Sequence, residues 1–393
     1  MTEWREFKIK DIADVVGGGT PSTAINEYWN GDIPWLTPKD LTGYIRNFIS
    51  HGERFITKKG LENSSARLLP KGTVLLTSRA PIGYVAIAEN EICTNQGFKS
   101  LVPNPDKAHN LFLLYWIKSN VEYLQSIGTG TTFQEISGSV LKDVDIILPP
   151  LPEQKAIAEV LSSLDDKIDL LTRQNKTLED IAQAYFRKWF IEEARDEWIT
   201  GRLGDLCEVI TKGTTPTTIK KNFVNNGINF LKVESISDSG AFLEDKFMHI
   251  DEETHNLLKR SQLKENDVLC SIAGTIGRIA RVSKEILPAN VNQALAIIRA
   301  KKYFRFIYYL LKSDIFQNEI HSRIVESVQA NLSLSEISSI EIAIPEELIN
   351  KFELFVAPID DKVQNNKNQI RILSKLRDTL LPKLISGEIR IKM

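Results

Sequence analysis

Between Leu151 and Phe190 the chain carries an apolar series spaced alternately four and three residues apart: Ile157, Leu161, Leu164, Ile168, Leu171, Leu178, Ala182, Tyr185 and Trp189. Asn175 completes the series as its polar member. After Pro152 the stretch has no Pro or Gly, and the flanking positions are mostly charged or polar (Asp165, Asp166, Lys167, Arg173, Lys176, Glu179, Asp180). Such a pattern predicts a long helix with one apolar seam, which needs a partner to cover it. A second series supplies one: Phe352, Val356, Ile359, Val363, Asn366, Ile370, Leu373, Arg377, Leu380 and Leu384, each 195 residues after its counterpart. LDDKI at 164–168 becomes IDDKV at 359–363.

The repetition reaches beyond the helices. KDIADVV at 10–16 is answered by GDLCEVI at 204–210, and Gly18–Pro21 by Gly213–Pro216. IPWL at 33–36 returns as INFL at 228–231, LLPKGTVLLTSRAPIG at 68–83 as QLKENDVLCSIAGTIG at 262–277, and Asn95-Gln96 as Asn292-Gln293. Two divergent copies of one fold follow from this order and spacing. Within each copy, short β-branched runs at 74–77, 84–88 and 144–148, then 268–271, 278–282 and 340–344, read as strands between turn residues. Asn110–Gln125 and Phe304–Arg323 have helical spacing. The expected architecture is α+β: globular units at 1–150 and 196–345, a central long helix within 151–195, and a C-terminal helix and tail within 346–393.

Duplication with pseudo-twofold symmetry favours an antiparallel intramolecular coiled coil. Setting Asn175 against Asn366 makes every seam residue face another: Ile157 meets Leu384, Leu164 meets Arg377, Leu171 meets Ile370, Leu178 meets Val363 and Trp189 meets Phe352. A buried Asn pair costs stability but selects one register, because a slip strands an amide. A seam of about 33 residues makes a rod of roughly 50 Å, or about 15 base pairs of B-DNA at about 3.4 Å each.

Composition narrows the class. A hydrophobic share of 42% with 25% charged residues is that of an ordinary soluble globular protein. No apolar run reaches the roughly 18 residues of a membrane span, and the first residues lack a signal-peptide core. Three scattered cysteines (Cys93, Cys207, Cys270) fit neither a disulfide framework nor a metal knuckle, so a cytoplasmic setting is expected. The net charge of −2 means that nucleic-acid binding would need a local basic face. The chain has no GxxxxGK[ST], and no Asn/Asp-Pro-Pro-Tyr/Phe motif of the kind that holds a target amine. The Gly128–Gly130 loop lacks the helix that a dinucleotide fingerprint requires, and the five histidines do not cluster with cysteine as metal ligands would. No catalytic site, cofactor or metal is expected in this chain.

The G-T-P openings (Gly18–Pro21, Gly213–Pro216), the PIG/TIG turns (Pro81–Gly83, Thr275–Gly277), Asn95-Gln96, the LPPLPEQKAI run and the closing LLPKLISGEIRI occur in a characteristic order. In these the chain resembles the specificity subunits of type I restriction–modification systems over nearly its whole length. The resemblance implies two target-recognition domains, each reading half of a bipartite site in double-stranded DNA. It also implies helices that dock two methyltransferase subunits, and a translocase–endonuclease subunit in the complete enzyme. S-adenosylmethionine would then belong to the methyltransferase partner, and ATP and Mg²⁺ to the motor. The second copy departs from the first where Leu348-Ile349 replace Glu153-Gln154 and Ala273-Gly274 replace Arg79-Ala80.

Base reading calls for Arg or Lys at guanine and Asn or Gln at adenine, with hydroxyls and amides at phosphates. Candidates in the first unit are Lys39, Arg46, Arg54, Lys58, Lys59, Arg67, Arg79, Gln96, Thr131, Thr132 and Gln134. In the second they are Lys212, Lys232, Lys246, Lys259, Arg260, Arg278, Gln293, Ser327, Gln329 and Asn331. The competing reading of any one Lys or Arg is a solvated surface charge. For Asn95-Gln96 and Asn292-Gln293 it is a shared turn, since features common to both copies suit a scaffold better than two different half-sites. A rival for the whole chain is a two-headed adaptor that scaffolds protein ligands.

Overall fold

The protein is described by a computed structural model covering residues 3–130, 134–325 and 331–391. It divides into two compact units, one comprising Met1–Thr172 with Gln369–Met393 and the other Arg173–Asn368. The division runs through both long helices, so each unit holds one globular fold and half of each helix.

In the first unit a five-stranded sheet runs in the order Ala13–Gly17, Lys99–Pro103, Val74–Ser78, Ile82–Ala88, Phe48–Ile49. A three-stranded sheet beside it has the order Arg54–Ile56, Trp29–Leu36, Cys93–Thr94, the last pair parallel with Leu36 opposite Thr94. The ends of the globular segment are tied by Arg5–Lys8 against Asp145–Leu148, with Arg5 opposite Leu148. The second unit repeats the plan. Its larger sheet runs Cys207–Lys212, Leu295–Ala300, Val268–Ser271, Ile279–Arg281, and its smaller one Met248–Ile250, Ile228–Leu231, Ala289–Val291. Leu231 stands opposite Val291 in parallel, and Thr200 opposite Ala343. These registers reproduce those of the first unit at the sequence offset, so the repeat is one of topology and pairing. Among the described residues, the larger sheet of the second unit has no counterpart of the edge strand Phe48–Ile49.

The two helical spans expected at 110–125 and 304–323 are each broken. Asn110–Ser119 is followed by Val121–Ser126, and Phe304–Lys312 by Asp314–Val325. At the first break Asn120 Nδ2 donates to the carbonyl of Trp116 at 2.8 Å. At the second, Ser313 adopts an extended backbone and its hydroxyl donates to the carbonyl of Leu310 at 2.6 Å. Short polar side chains compete here with the helical ladder, a local effect that apolar spacing does not register.

The long helices run over Leu151–Arg187 and Glu346–Ile385. The first ends in a wider π turn at Lys188–Glu192. Ile157, Leu161 and Leu384 join Phe112, Leu114 and Tyr115 in the core of the first unit. Ala182, Phe186, Phe352 and Val356 join Phe306, Ile307 and Tyr309 in that of the second. The seam thus fuses with the globular cores at its two ends. One expected position shifts: Phe186 is buried where Tyr185 was anticipated, and Tyr185 is 39% exposed. A straight helix of 3.6 residues per turn drifts from a strict heptad by about 20° per repeat, and four repeats carry the stripe to the next residue. Among the described residues, no helix is long and apolar enough to cross a membrane.

Candidate nucleic-acid interface

Three loops converge on the first unit. The Gly18–Pro21 loop leaves the strand Ala13–Gly17 and runs against the turn at Asn95–Gly97. A Cβ on Gly18 would lie 2.1 Å from the carbonyl oxygen of Asn95, so the approach admits only glycine. Trp35 Nε1 donates to the carbonyl of Gly19 at 2.9 Å, and the Thr20 hydroxyl donates to Gln96 Oε1. Asn95 Oδ1 closes the turn by accepting from the Gly97 amide at 2.9 Å. The carbonyl of Gly97 accepts from the amide of Ser78 at 2.7 Å, which brings in the Arg79-Ala80 loop. Ala80 adopts φ +53°, a left-handed conformation rare without glycine. Arg79 pairs through the backbone with Glu135, which also bridges Thr129, and its guanidinium lies 3.3 Å from the Glu135 carboxylate. Lys99 approaches the same carboxylate at 3.2 Å.

The second unit assembles the same three loops with different side chains. Gly213 sits so tightly against Val291 and Asn292 that a Cβ would lie 1.8 Å from the Val291 carbonyl oxygen. The Thr215 hydroxyl donates to Gln293 Oε1, and Asn292 Oδ1 accepts from the Ala294 amide at 3.2 Å. Ala273 bridges Asn331 as Arg79 bridges Glu135, and Gly274 takes the left-handed place of Ala80 with φ +73°. Charge enters elsewhere: Arg260 Nη2 donates to Thr214 Oγ1 at 3.1 Å, and Lys212 immediately precedes Gly213. The backbone of this face is therefore duplicated while its cations are not.

The other candidates fall into groups. Lys39 follows Pro38, which packs on Gly97, and is 3.3 Å from Glu53. Arg67 is exposed two residues beyond Ser65, which packs on Gly19. Both therefore flank the first face. Arg54 stacks on Trp29, its guanidinium carbon 3.7 Å from the ring centroid. Lys58 and Lys59 are exposed on a short helix and pair with Glu62 and Glu27. Arg46 is paired with the long helix, its Nε 3.0 Å from Asp169. In the second unit Lys232 is 3.8 Å from Glu234 and Lys246 is 3.4 Å from Asp245, while Lys259 is exposed. Arg278 is committed internally: it pairs with Asp238 at 2.6 Å and donates to the carbonyls of Val233 and Ile236. Gln134 and Asn331 are exposed at the loop ends. Thr131, Thr132, Ser327 and Gln329 lie outside the described residues. Among the described residues, the next helix after Gly128–Gly130 is Gly138–Lys142, which has only five residues and is capped by Ser137.

Along the helices, Asn366 Nδ2 donates to Asn175 Oδ1 at 2.9 Å, both residues buried. Trp189 meets Phe352 edge to face at 6.1 Å between centroids. Arg377 Nη1 reaches Asp165 Oδ1, one residue from its expected partner Leu164, at 2.9 Å. All three contacts belong to the antiparallel register anticipated from the seam. Sequence reasoning passed over the acids beside it. Asp165 also accepts from Tyr115 Oη at 2.8 Å and Asn47 Nδ2 at 3.1 Å. Burial alone would raise its pKa, but Lys118, Arg377 and Tyr115 outweigh that and hold it below the usual 3.8. Glu179 is likewise held low against its burial by Lys367 and Lys312. The repeated Asp of LDDKI and IDDKV was the available signal.

A family model described as the type I restriction modification DNA specificity domain matches residues 1–180 and again 195–380. The type I restriction enzyme MjaIX specificity subunit of Methanocaldococcus jannaschii is 39% identical over an alignment covering 99% of this chain and 94% of the relative. The HindI specificity subunit of Haemophilus influenzae is 23% identical, with 99% and 100% covered. The crystal structure of a type I system S subunit from M. genitalium matches with a TM-score of 0.64 at 19% identity. That match covers 100% of this chain and 97% of the other, a likeness of fold.

Proposed function

The chain belongs to the type I restriction–modification DNA specificity family, and we propose that each of its units reads one half of an asymmetric bipartite site in double-stranded DNA. The observation that carries this reading is the duplicated three-loop face. Its backbone, closed in both copies by the Thr–Gln bond and the Asn turn, is one scaffold. The side chains around it differ: Lys39, Arg67 and Arg79 in the first unit, Lys212, Arg260 and Asn331 in the second. A shared frame with different donors is what two different half-sites require, since guanidinium and amide groups carry base identity while backbone and hydroxyl groups hold phosphates. Gln96 and Gln293 are assigned to the frame because each is engaged by the equivalent threonine of its copy, Thr20 and Thr215. The overall charge of −2 gives DNA no general attraction, so affinity rests on these local cations and falls with added salt.

In this reading the antiparallel helices set the spacer and form the platform for two methyltransferase subunits, to which a translocase–endonuclease subunit adds. S-adenosylmethionine is used by the methyltransferase partner, and ATP and Mg²⁺ by the motor. This chain selects the site and supplies no reacting group. Methylation mapping of the host genome with and without this gene tests the proposal. One bipartite motif should lose its modification on deletion, whereas an unchanged methylome would overturn it.

A further inference from the structure

At matching positions of the repeat, each long helix carries a buried acidic side chain beside the seam: Asp165 and Asp360, 195 residues apart, at 8% and 5% exposure. A further buried acid of the first helix, Glu153, has Leu348 as its counterpart in the second. A buried carboxylate is costly unless it is fully paired, and Asp165 and Asp360 both are, by partners that the repeat does not share. Asp165 holds Asn47, next to the edge strand Phe48–Ile49, and Tyr115 on the helix Asn110–Ser119. Lys118 of that helix is 3.5 Å away, and Arg377 reaches it from the second long helix. Asp360 holds Arg281 at the end of the strand Ile279–Arg281 and Arg305 in the helix Phe304–Lys312, Arg305 Nε donating at 3.0 Å. In both units, one carboxylate on the long helix is thus tied at once to an edge of the sheet and to the first helix packed on it. Apolar contacts are non-directional and tolerate a small rotation; a multiply bonded carboxylate does not.

We infer that Asp165 and Asp360 are positioning residues: each fixes the angle at which its recognition unit is carried on the helix, and so the number of base pairs allowed between the half-sites. The inference rests on the bipartite reading above. It assigns spacing to charged junctions far from any base, and it separates spacing from base identity. Asp166, the exposed neighbour in the same pair, has no such role.

The test uses the assembled methyltransferase complex and duplexes carrying the native site, or the same half-sites with the spacer one base pair shorter or longer. The wild-type complex should methylate the native spacer far faster than either alternative. Asp165→Asn and Asp360→Asn, isosteric but uncharged, should each reduce that preference by about tenfold, a change equal to the loss of about 1.4 kcal/mol of discrimination. Both should leave the bases read in each half unchanged. Asp166→Asn should keep the wild-type preference. Should the isosteric variants not fold, Tyr115→Phe and Arg305→Lys, which each weaken one junction, should move the preference in the same direction by a smaller factor. Folded junction variants with undiminished spacer preference would overturn the inference while leaving bipartite reading intact. A wild-type complex indifferent to the spacer would instead sink the underlying reading.

Discussion

Asp165 shows how a residue beside an interface can matter more than those facing it. Its carboxylate is bonded or paired to four side chains drawn from a strand edge, a packed helix and the opposite long helix. Removing its charge leaves Lys118 with only the neutral Asn47 and Arg377 with only the exposed Asp378, and loss of one partner of a buried pair costs up to about 3 kcal/mol. Asp165→Asn should therefore lower the denaturant midpoint with an unchanged m-value. The pH dependence has a definite sign. Because the folded pKa is depressed below 3.8, the stabilisation is complete at neutral pH and is lost as the pH falls through the folded value. The difference between wild type and variant should stay constant down to about pH 4 and shrink below it. At the proposed DNA face, side chains differ in role by what they touch. Arg79→Ala should relax base choice in one half-site by about 1–3 kcal/mol, the usual worth of a bidentate base contact. Gln96→Ala, which frees Thr20, should weaken binding without changing the bases read. Methylation rates on a panel of singly substituted sites distinguish the two.

The long helices were the most legible elements in the sequence, for a physical reason. A seam repeated over several heptads leaves a pattern that local context cannot erase, and its duplication at a fixed offset named the partner as well. Asn175 and Asn366 stood out because an amide in an apolar series needs another amide. Less legible were features set by single hydrogen bonds, such as the breaks at Asn120 and Ser313, and by cumulative drift, as at Phe186. The junction acids were hidden because a charged residue next to a seam ordinarily faces water, and no spacing rule anticipates the cations that bury it. In the recognition units the shared Thr–Gln bond was foreshadowed by its recurrence, but the internal commitment of Arg278 depends on Asp238, distant in sequence. The Asn pair makes its own prediction. Asn366 Oδ1 finds no partner among the described residues, so replacing both Asn175 and Asn366 by Leu should raise the melting temperature. It should also let alternative registers appear, seen as disulfide formation between cysteine pairs placed one heptad out of register.

At the scale of the molecule, duplication explains the economy of the design. One fold supplies a frame twice, each copy ends in a helix, and each helix completes the core of both units. If the helices set the spacing, one heptad inserted in each at matched positions adds about 10 Å and should lengthen the spacer by about three base pairs, read directly from the methylated motif. Independence of the halves is the central claim. The most direct measurement exchanges residues 1–150 for those of another family member and maps the methylated motif of the resulting strain. The account predicts that one half-site changes to that of the donor while the other half-site and the spacer stay as they were. A motif in which both halves change, or neither does, would contradict it.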